Sequence, residues 1–157
     1  MTVFRHPPCL IAALLLAAVG GASAADVTAP ASIAAAPAET PAAARERAIF
    51  AVSDADPQKW NLTLGNIANA IEGIGLANAD IELVVYGPGI AMLRKDSPVA
   101  ERVAAALKSG VRVVACQNSM RGFHIDTADL VPGVGQVPSG VVELIRREHA
   151  GYAYVRS

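Results

Sequence analysis

The sequence predicts a three-layer α/β/α domain, in which a parallel sheet lies between layers of helices. Short apolar runs alternate along the chain with segments whose apolar residues recur at three- and four-residue spacing. This alternation indicates βαβ units, because two parallel strands must be joined by a crossover that is usually a helix. The strand segments are also apolar almost throughout, as strands covered on both faces are.

The first strand, the first helix and the second strand have clear boundaries. Residues 48–53 (AIFAVS) form an apolar run that ends at DADP, which indicates a strand leading into a helix start. The helix begins at Pro57 and closes near Gly75, and its apolar stripe consists of Trp60, Leu64, Ile67, Ile71 and Ile74. Residues 81–86 (IELVVY) predict the second strand, and the GPG turn at 87–89 leads into a short helical segment.

A second helix and a third strand follow. The helix is predicted over residues 97–110, where Ser97 is expected to cap it, Pro98 lies in the first turn and Gly110 ends it. Residues 111–116 (VRVVAC) predict the third strand.

The C-terminal part of the chain predicts smaller elements. Residues 118–131 form short helical turns, and Asp126 or Thr127 caps the second of them. The remaining predicted elements are a short strand around Gln136 and Val137, a helix over 139–151 capped by Ser139, and a last strand over 152–157.

The N-terminus has the three-part plan of a secretory signal peptide. Arg5 supplies positive charge, residues 10–21 are apolar, and residues 22–24 (ASA) are small. The apolar core is shorter than the ~20 residues that a membrane-spanning helix needs. We therefore expect residues 1–24 to be removed, with cleavage before Ala25 or Asp26; a retained N-terminal anchor is the alternative.

The mature chain is expected to be periplasmic or secreted. Residues 25–46 are rich in Ala and Pro, which predicts a disordered leader, and residues 47–157 form one domain. The net charge of the whole chain is −1 at pH 7 and no basic cluster is present. A nucleic-acid partner is therefore not expected, and nothing indicates membrane association after signal cleavage.

Cysteine usage singles out one residue. Cys9 leaves with the signal peptide, so the mature chain keeps Cys116 alone. A lone cysteine in an exported protein is reactive, intermolecular or buried. Cys116 ends the third strand, at the edge where open α/β sheets bind their ligands. Its position leaves two interpretations open, a nucleophilic thiol or a small apolar residue at a strand end.

Polar groups near Cys116 would favour the thiolate. A helix start at Asn118 or Ser119 offers free N–H groups, and Arg121 lies one turn further on. The glycine turn after the second strand is expected to bring further N–H donors close to the sulfur. The candidate binding residues beside Cys116 are Gly87, Pro88, Gly89, Asn118, Ser119, Arg121 and, on the first helix, Asn69.

Other functional motifs are incomplete. The stretch GPGIAM begins like a dinucleotide-binding loop, but Met92 stands where the third glycine is required. Ser139 lacks the G-x-S-x-G context of a hydrolase nucleophile. His124 and His149 lack metal-ligand spacing, so we predict neither a metal site nor a cofactor.

Several stretches in order resemble one family. They are NIANAIEG, IELVVYGPGIAML, GVRVVACQNSM and VPSGVVELIRREHAGYAYVRS, which together span most of residues 49–156. The chain thus resembles the DsrE/DsrF-like family of sulfur-handling proteins, in particular its small exported branch. The resemblance implies a five-stranded parallel sheet between helices and a homo-oligomer (a dimer, trimer or hexamer).

The resemblance also implies a role for Cys116. In the better-understood members, a cysteine after the third strand carries sulfur as a persulfide between donor and acceptor proteins, and that position corresponds to Cys116. Arg121 followed by Gly122 matches the relay members, whereas Tyr86 stands where many relatives have His.

Two functions are therefore expected. The first is a sulfur carrier or sulfurtransferase with a persulfide on Cys116. The alternative is a non-catalytic module that binds a small anion or assembles into an oligomer, in which Cys116 is structural. A hydrolase or nucleotide enzyme lacks its motif.

Overall fold

The computed structural model of the protein describes residues 45–156. The predicted signal peptide and all but the last two residues of the predicted leader lie outside this range. Strands and helices alternate as β1 (Glu46–Val52), α1 (Pro57–Ile74), β2 (Ala79–Val85), a 3-10 helix (Gly87–Leu93), α2 (Ala100–Lys108), β3 (Arg112–Cys116), α3 (Gln117–Gly122), a 3-10 turn (Thr127–Asp129), β4 (Gly135–Val137), α4 (Gly140–His149) and β5 (Ala153–Val155). None of the helices in this range is long and apolar enough to cross a bilayer.

The five strands form one parallel sheet in the order β4-β3-β2-β1-β5. This confirms the predicted α/β class and the parallel sheet. Because all strands run in one direction, their carboxyl ends lie along a single edge of the sheet. Each helix that connects two of these strands runs back across the sheet, so it begins near that edge.

The two faces of the sheet differ in what covers them. The first, which we call the large-core face, packs against α1 and α2 and holds most of the buried apolar side chains, among them Phe50, Trp60, Ile67, Leu83, Val85 and Val103. The second, which we call the α4 face, has a small apolar cluster formed by Ile49, Val84, Leu144 and Tyr152. Strand residues alternate between the two faces, so Glu82, Arg112 and Cys116 lie on the α4 face.

The helix starts differ in how well the sequence predicts them. At α1, Asp56 caps as the DADP signal suggests, and its carboxylate accepts from the Gln58 N–H at 2.8 Å. At α2, the prediction for Ser97 is wrong, because the N-cap is Val99. Ser97 instead forms a turn before the helix, in which its hydroxyl accepts from the Val99 N–H at 3.3 Å. This turn inserts Val99 into the core, where it is buried.

Asp126, one of the two residues predicted as the cap, is the N-cap of the 3-10 turn. Its side chain accepts from the backbone of Asp129, and the Asp129 carboxylate accepts from the Asp126 N–H at 2.9 Å. Ser139 occupies the N-cap position of α4, as predicted, but its side chain makes no capping hydrogen bond.

Candidate functional site around Cys116

Cys116 lies at the carboxyl edge of the sheet, on the α4 face. It is the last residue of β3 and also the N-cap of α3. Its neighbours in the sheet are β2 on one side and, through pairing with Val137, β4 on the other. The side chain is 4% exposed. Cys116 is therefore nearly buried, as a packing residue would be. It also lies at the edge of the sheet where ligands bind, as a nucleophilic thiol would.

Several hydrogen-bond donors converge on the sulfur. The Ser119 hydroxyl and the backbone N–H groups of Gly140, Ser119 and Asn118 donate to Sγ. Burial by itself raises the pKa of the Cys116 thiol, but these hydrogen bonds outweigh it, and the pKa lies below its ordinary value. The site thus favours the thiolate, which is the nucleophilic form of cysteine.

Ser119 links the sulfur to the glycine turn. The Ser119 hydroxyl accepts from the Gly87 N–H at 2.7 Å, and this bond orients its own proton toward Cys116. Gly87 has a φ of 53°, in the left-handed region where glycine is favoured. The turn therefore acts on the sulfur through Ser119.

This corrects the expectation that the glycine turn donates directly to the sulfur. The Gly87 N–H is used by Ser119, the Gly89 N–H donates to the Ser53 carbonyl at 3.0 Å, and Pro88 has no N–H and is exposed. Gly89 allows the turn to pack on β1, since a Cβ there would lie 2.8 Å from the Val52 carbonyl oxygen.

Arg121 and Asn118 bond to each other. The Arg121 guanidinium donates to the Asn118 Oδ1, and its side chain lines a cavity of about 430 Å³ together with Gln117, Met120 and His124. Gln117, Met120 and Arg121 recur at three- and four-residue spacing, so they share one side of α3, and His124 follows the end of the helix. Ser119, which faces the sulfur, lies off that side.

Asn69 is remote from Cys116. It is exposed and lies twelve residues after Pro57, the first residue of α1. At 1.5 Å per residue it is about 18 Å from the end of α1 that begins at the carboxyl edge. The structure does not bring it together with Cys116.

Gly140 is a site residue that the sequence analysis missed. It is the first residue of α4, and a Cβ there would lie 2.9 Å from the Tyr86 Cβ and 3.3 Å from the Cys116 Cβ. Glycine therefore lets the start of α4 approach β3 closely enough for its N–H to reach the sulfur. The available signal was topological, because a helix that precedes a parallel strand starts at the carboxyl edge.

Comparison with known proteins assigns this chain to a family. The model of the DsrE/DsrF-like family matches residues 46–156, which is the whole described domain apart from Arg45. The chain belongs to the DsrE/DsrF-like family. This confirms the family resemblance seen in the sequence, and the family is generally associated with sulfur relay.

Two solved structures are similar to this DsrE-like chain. The protein of unknown function MTH1491 from Methanobacterium thermoautotrophicum is 34% identical, with a TM-score of 0.68, and the match covers 71% of this chain and 99% of that one. The ychN protein from E. coli shares the fold, with 19% identity, a TM-score of 0.60 and the same coverage. No curated protein matches the chain.

Proposed function

We propose that this DsrE-like protein is a sulfur carrier that holds a persulfide on Cys116. The observation that supports this most strongly is the set of donors on Sγ, which come from α3 and α4 and lower the pKa of a nearly buried thiol. A structural cysteine needs no such donors, because a neutral thiol packs as a small apolar group.

The proposed reaction moves one sulfur atom. The Cys116 thiolate attacks the outer sulfur of a persulfide donor, R–S–SH, and a bond forms between Sγ and that sulfur. The S–S bond of the donor breaks, R–S⁻ leaves, and Cys116 becomes Cys116–S–SH. An acceptor thiolate then attacks the outer sulfur, and Cys116 leaves as a thiolate. No oxidant or reductant is consumed, and a stabilised thiolate helps both attack and departure.

Intact-mass measurement tests the proposal. The mature chain, residues 25–157, in which Cys116 is the single cysteine, is incubated with inorganic polysulfide as the donor and weighed without reductant, beside the Cys116→Ala variant. We expect one added sulfur atom in the wild type, none at this site in the variant, and loss of the added atom with a thiol acceptor. Equal addition in both proteins, or none in the wild type, would overturn the proposal.

A second candidate function is the non-catalytic module. It is favoured by the exposed apolar side chains Val141, Val142 and Ile145 on the outer side of α4, which would be covered in the homo-oligomer that we also propose. In this case Val142→Asp would reduce the mass measured by light scattering, and Cys116→Ser would leave assembly unchanged. An unreactive thiol in the wild type would favour this module over the carrier.

We further propose that the protein acts outside the cytoplasm, after removal of residues 1–24. The support is the N-terminal sequence alone. Expression in a bacterial host, fractionation and N-terminal sequencing should yield a periplasmic protein that starts at Ala25 or Asp26. A cytoplasmic protein that keeps its N-terminus would contradict this.

A further inference from the structure

Apolar packing holds α4 only weakly on the sheet. Its buried residues are Gly140 and Leu144, while the apolar residues Val141, Val142 and Ile145 are exposed. The apolar cluster beneath it is small, whereas the large-core face has extensive apolar packing under α1 and α2. The position of α4 must therefore depend on other contacts as well.

An ion-pair cluster around the buried Glu82 supplies those contacts, while the side chains of Arg112 and Arg147 stay 42% and 32% exposed. Glu82, in the middle of β2, is 0% exposed. Its Oε2 accepts from the Arg112 Nε at 2.9 Å, and the Arg147 Nε of α4 lies at the same distance from that oxygen. Arg147 also donates to Glu143 at 2.7 Å, one turn earlier on α4. The Glu82 carboxylate thus joins α4 to β2 and β3.

The surrounding groups keep this cluster in place. Arg112 donates to Asp80 at 2.8 Å and to the Tyr152 hydroxyl at 2.7 Å, and that hydroxyl donates to Asp80 at 2.6 Å. The guanidinium carbons of Arg112 and Arg147 lie 5.8 and 5.4 Å from the centre of the Tyr152 ring. Since every guanidinium has an acceptor and a ring beside it, the cluster fixes the side-chain geometry of Arg147.

Stability alone does not explain Glu82. Its Oε1 is buried and has no hydrogen-bond partner among residues 45–156. Burial removes the hydration of the Glu82 carboxylate, and ion pairs with two partly exposed arginines have to offset that cost. A carboxylate with one oxygen unsatisfied is a still poorer stabilising choice. What the carboxylate does provide is an ion pair with Arg147 of α4.

This contact lies on the same side of α4 as the sulfur. Gly140 and Arg147 are seven residues apart, which is about two turns and 10 Å along the helix. Both face the sheet, where Gly140 contacts Cys116 and Arg147 contacts Glu82. Because a helix of this length moves as a rigid unit, a slide or rotation at Arg147 displaces the Gly140 N–H from Sγ.

We propose that Glu82 is a positioning residue for Cys116, which holds α4 through Arg147 in the place where the Gly140 N–H reaches the sulfur. This inference rests on the proposed sulfur-carrier function. The ion-pair cluster around Glu82 would then affect the chemistry of Cys116 at the carboxyl edge of the sheet.

The test is the pH profile of alkylation at Cys116, measured on the full chain with iodoacetamide and read on the peptide that contains this residue. In Glu82→Gln we expect the profile to move to higher pH, so that the thiolate fraction at pH 7 falls about tenfold, as expected when one hydrogen bond to an anion is lost. Arg147→Met acts on the other partner, should shift the profile in the same direction, and serves as the test if Glu82→Gln does not fold.

Two controls separate positioning from loss of stability. Val103→Ala destabilises the large-core face, and Arg94→Gln removes an exposed ion pair with Asp96; neither should move the profile. If the wild type takes up sulfur but the midpoint is unchanged in both Glu82→Gln and Arg147→Met, the positioning role of Glu82 is overturned and the proposed function is not. A wild type that takes up no sulfur would overturn the proposed function.

Discussion

The two faces of the sheet are built from different chemistry. The large-core face is closed by apolar side chains from α1, α2 and the 3-10 helix Gly87–Leu93, with Leu83 fully buried among them. The α4 face has a few apolar residues, an ion-pair cluster around the buried Glu82 and, at its edge, Cys116. Apolar burial is not directional, whereas hydrogen bonds are. The comparison indicates that one face supplies stability and the other positions the sulfur.

The largest effect on stability is expected on the large-core face. Leu83→Ala leaves a cavity at a fully buried position and should lower the free energy of unfolding by about 3 kcal/mol, measured by urea denaturation. The pH profile of Cys116 alkylation should stay where it is. A shifted profile would show that the two faces are not separable in this way.

A smaller loss of stability is expected where α4 meets β3. Gly140→Ala places a methyl group 2.9 Å from the Tyr86 Cβ, which should cost about 2 kcal/mol and push α4 away from the sulfur. The thiolate fraction at neutral pH should fall with it. The matched control is Gly73→Ala, because a Cβ there meets nothing within 4 Å. That variant should be as stable as the wild type or slightly more so, and its thiol should be unaffected.

A third prediction concerns the Ser119 hydroxyl, the side-chain donor that α3 supplies to Sγ. Ser119→Ala removes a donor to Sγ and leaves the Gly87 N–H without its acceptor. We expect a loss of about 1 kcal/mol in unfolding free energy and a higher thiol pKa. Ser109→Ala removes a comparable hydroxyl, bonded within α2, and should leave the thiol as it is. Equal thiol profiles in the two variants would contradict the role assigned to Ser119.

The smallest effect is a pH dependence of stability that comes from the thiol itself. The pKa of Cys116 is lower in the folded chain than in the unfolded one, so the unfolded chain binds more protons between these two values. The stability of wild type relative to Cys116→Ala should therefore rise with pH up to about 8.5, the pKa of an unperturbed thiol. It should be lost as the pH falls through the folded pKa. If the difference in unfolding free energy between wild type and Cys116→Ala does not change with pH across this range, the hydrogen bonds to Sγ do not stabilise the thiolate.

The sequence predicted elements better than it predicted contacts. The strands β1, β2 and β3 were visible because most of their residues are apolar, and Cys116 was placed at the correct edge by its position at a strand end. Gly140 was missed, since its approach to Cys116 depends on the order of the strands, which local patterns do not encode. Ser97 has the residue type and the following proline of a cap, but the burial of Val99 sets the helix start instead.

The ion-pair cluster had a signal that the sequence analysis did not use. Glu82 and Arg112 are single charges inside apolar strands, and they lie opposite each other in the register of β2 and β3. A charge inside a strand that is otherwise apolar needs a partner. Their pairing with Arg147 depends on α4 covering this face, so the full cluster required the structure.

The pH profile of Cys116 alkylation in the wild-type chain tests the central claim most directly. If the Ser119 hydroxyl and the N–H groups of Gly140, Ser119 and Asn118 stabilise the thiolate, the midpoint lies below that of free cysteine measured under the same conditions. A midpoint at or above that of free cysteine would mean that burial dominates, and that Cys116 is a packing residue at the end of its strand.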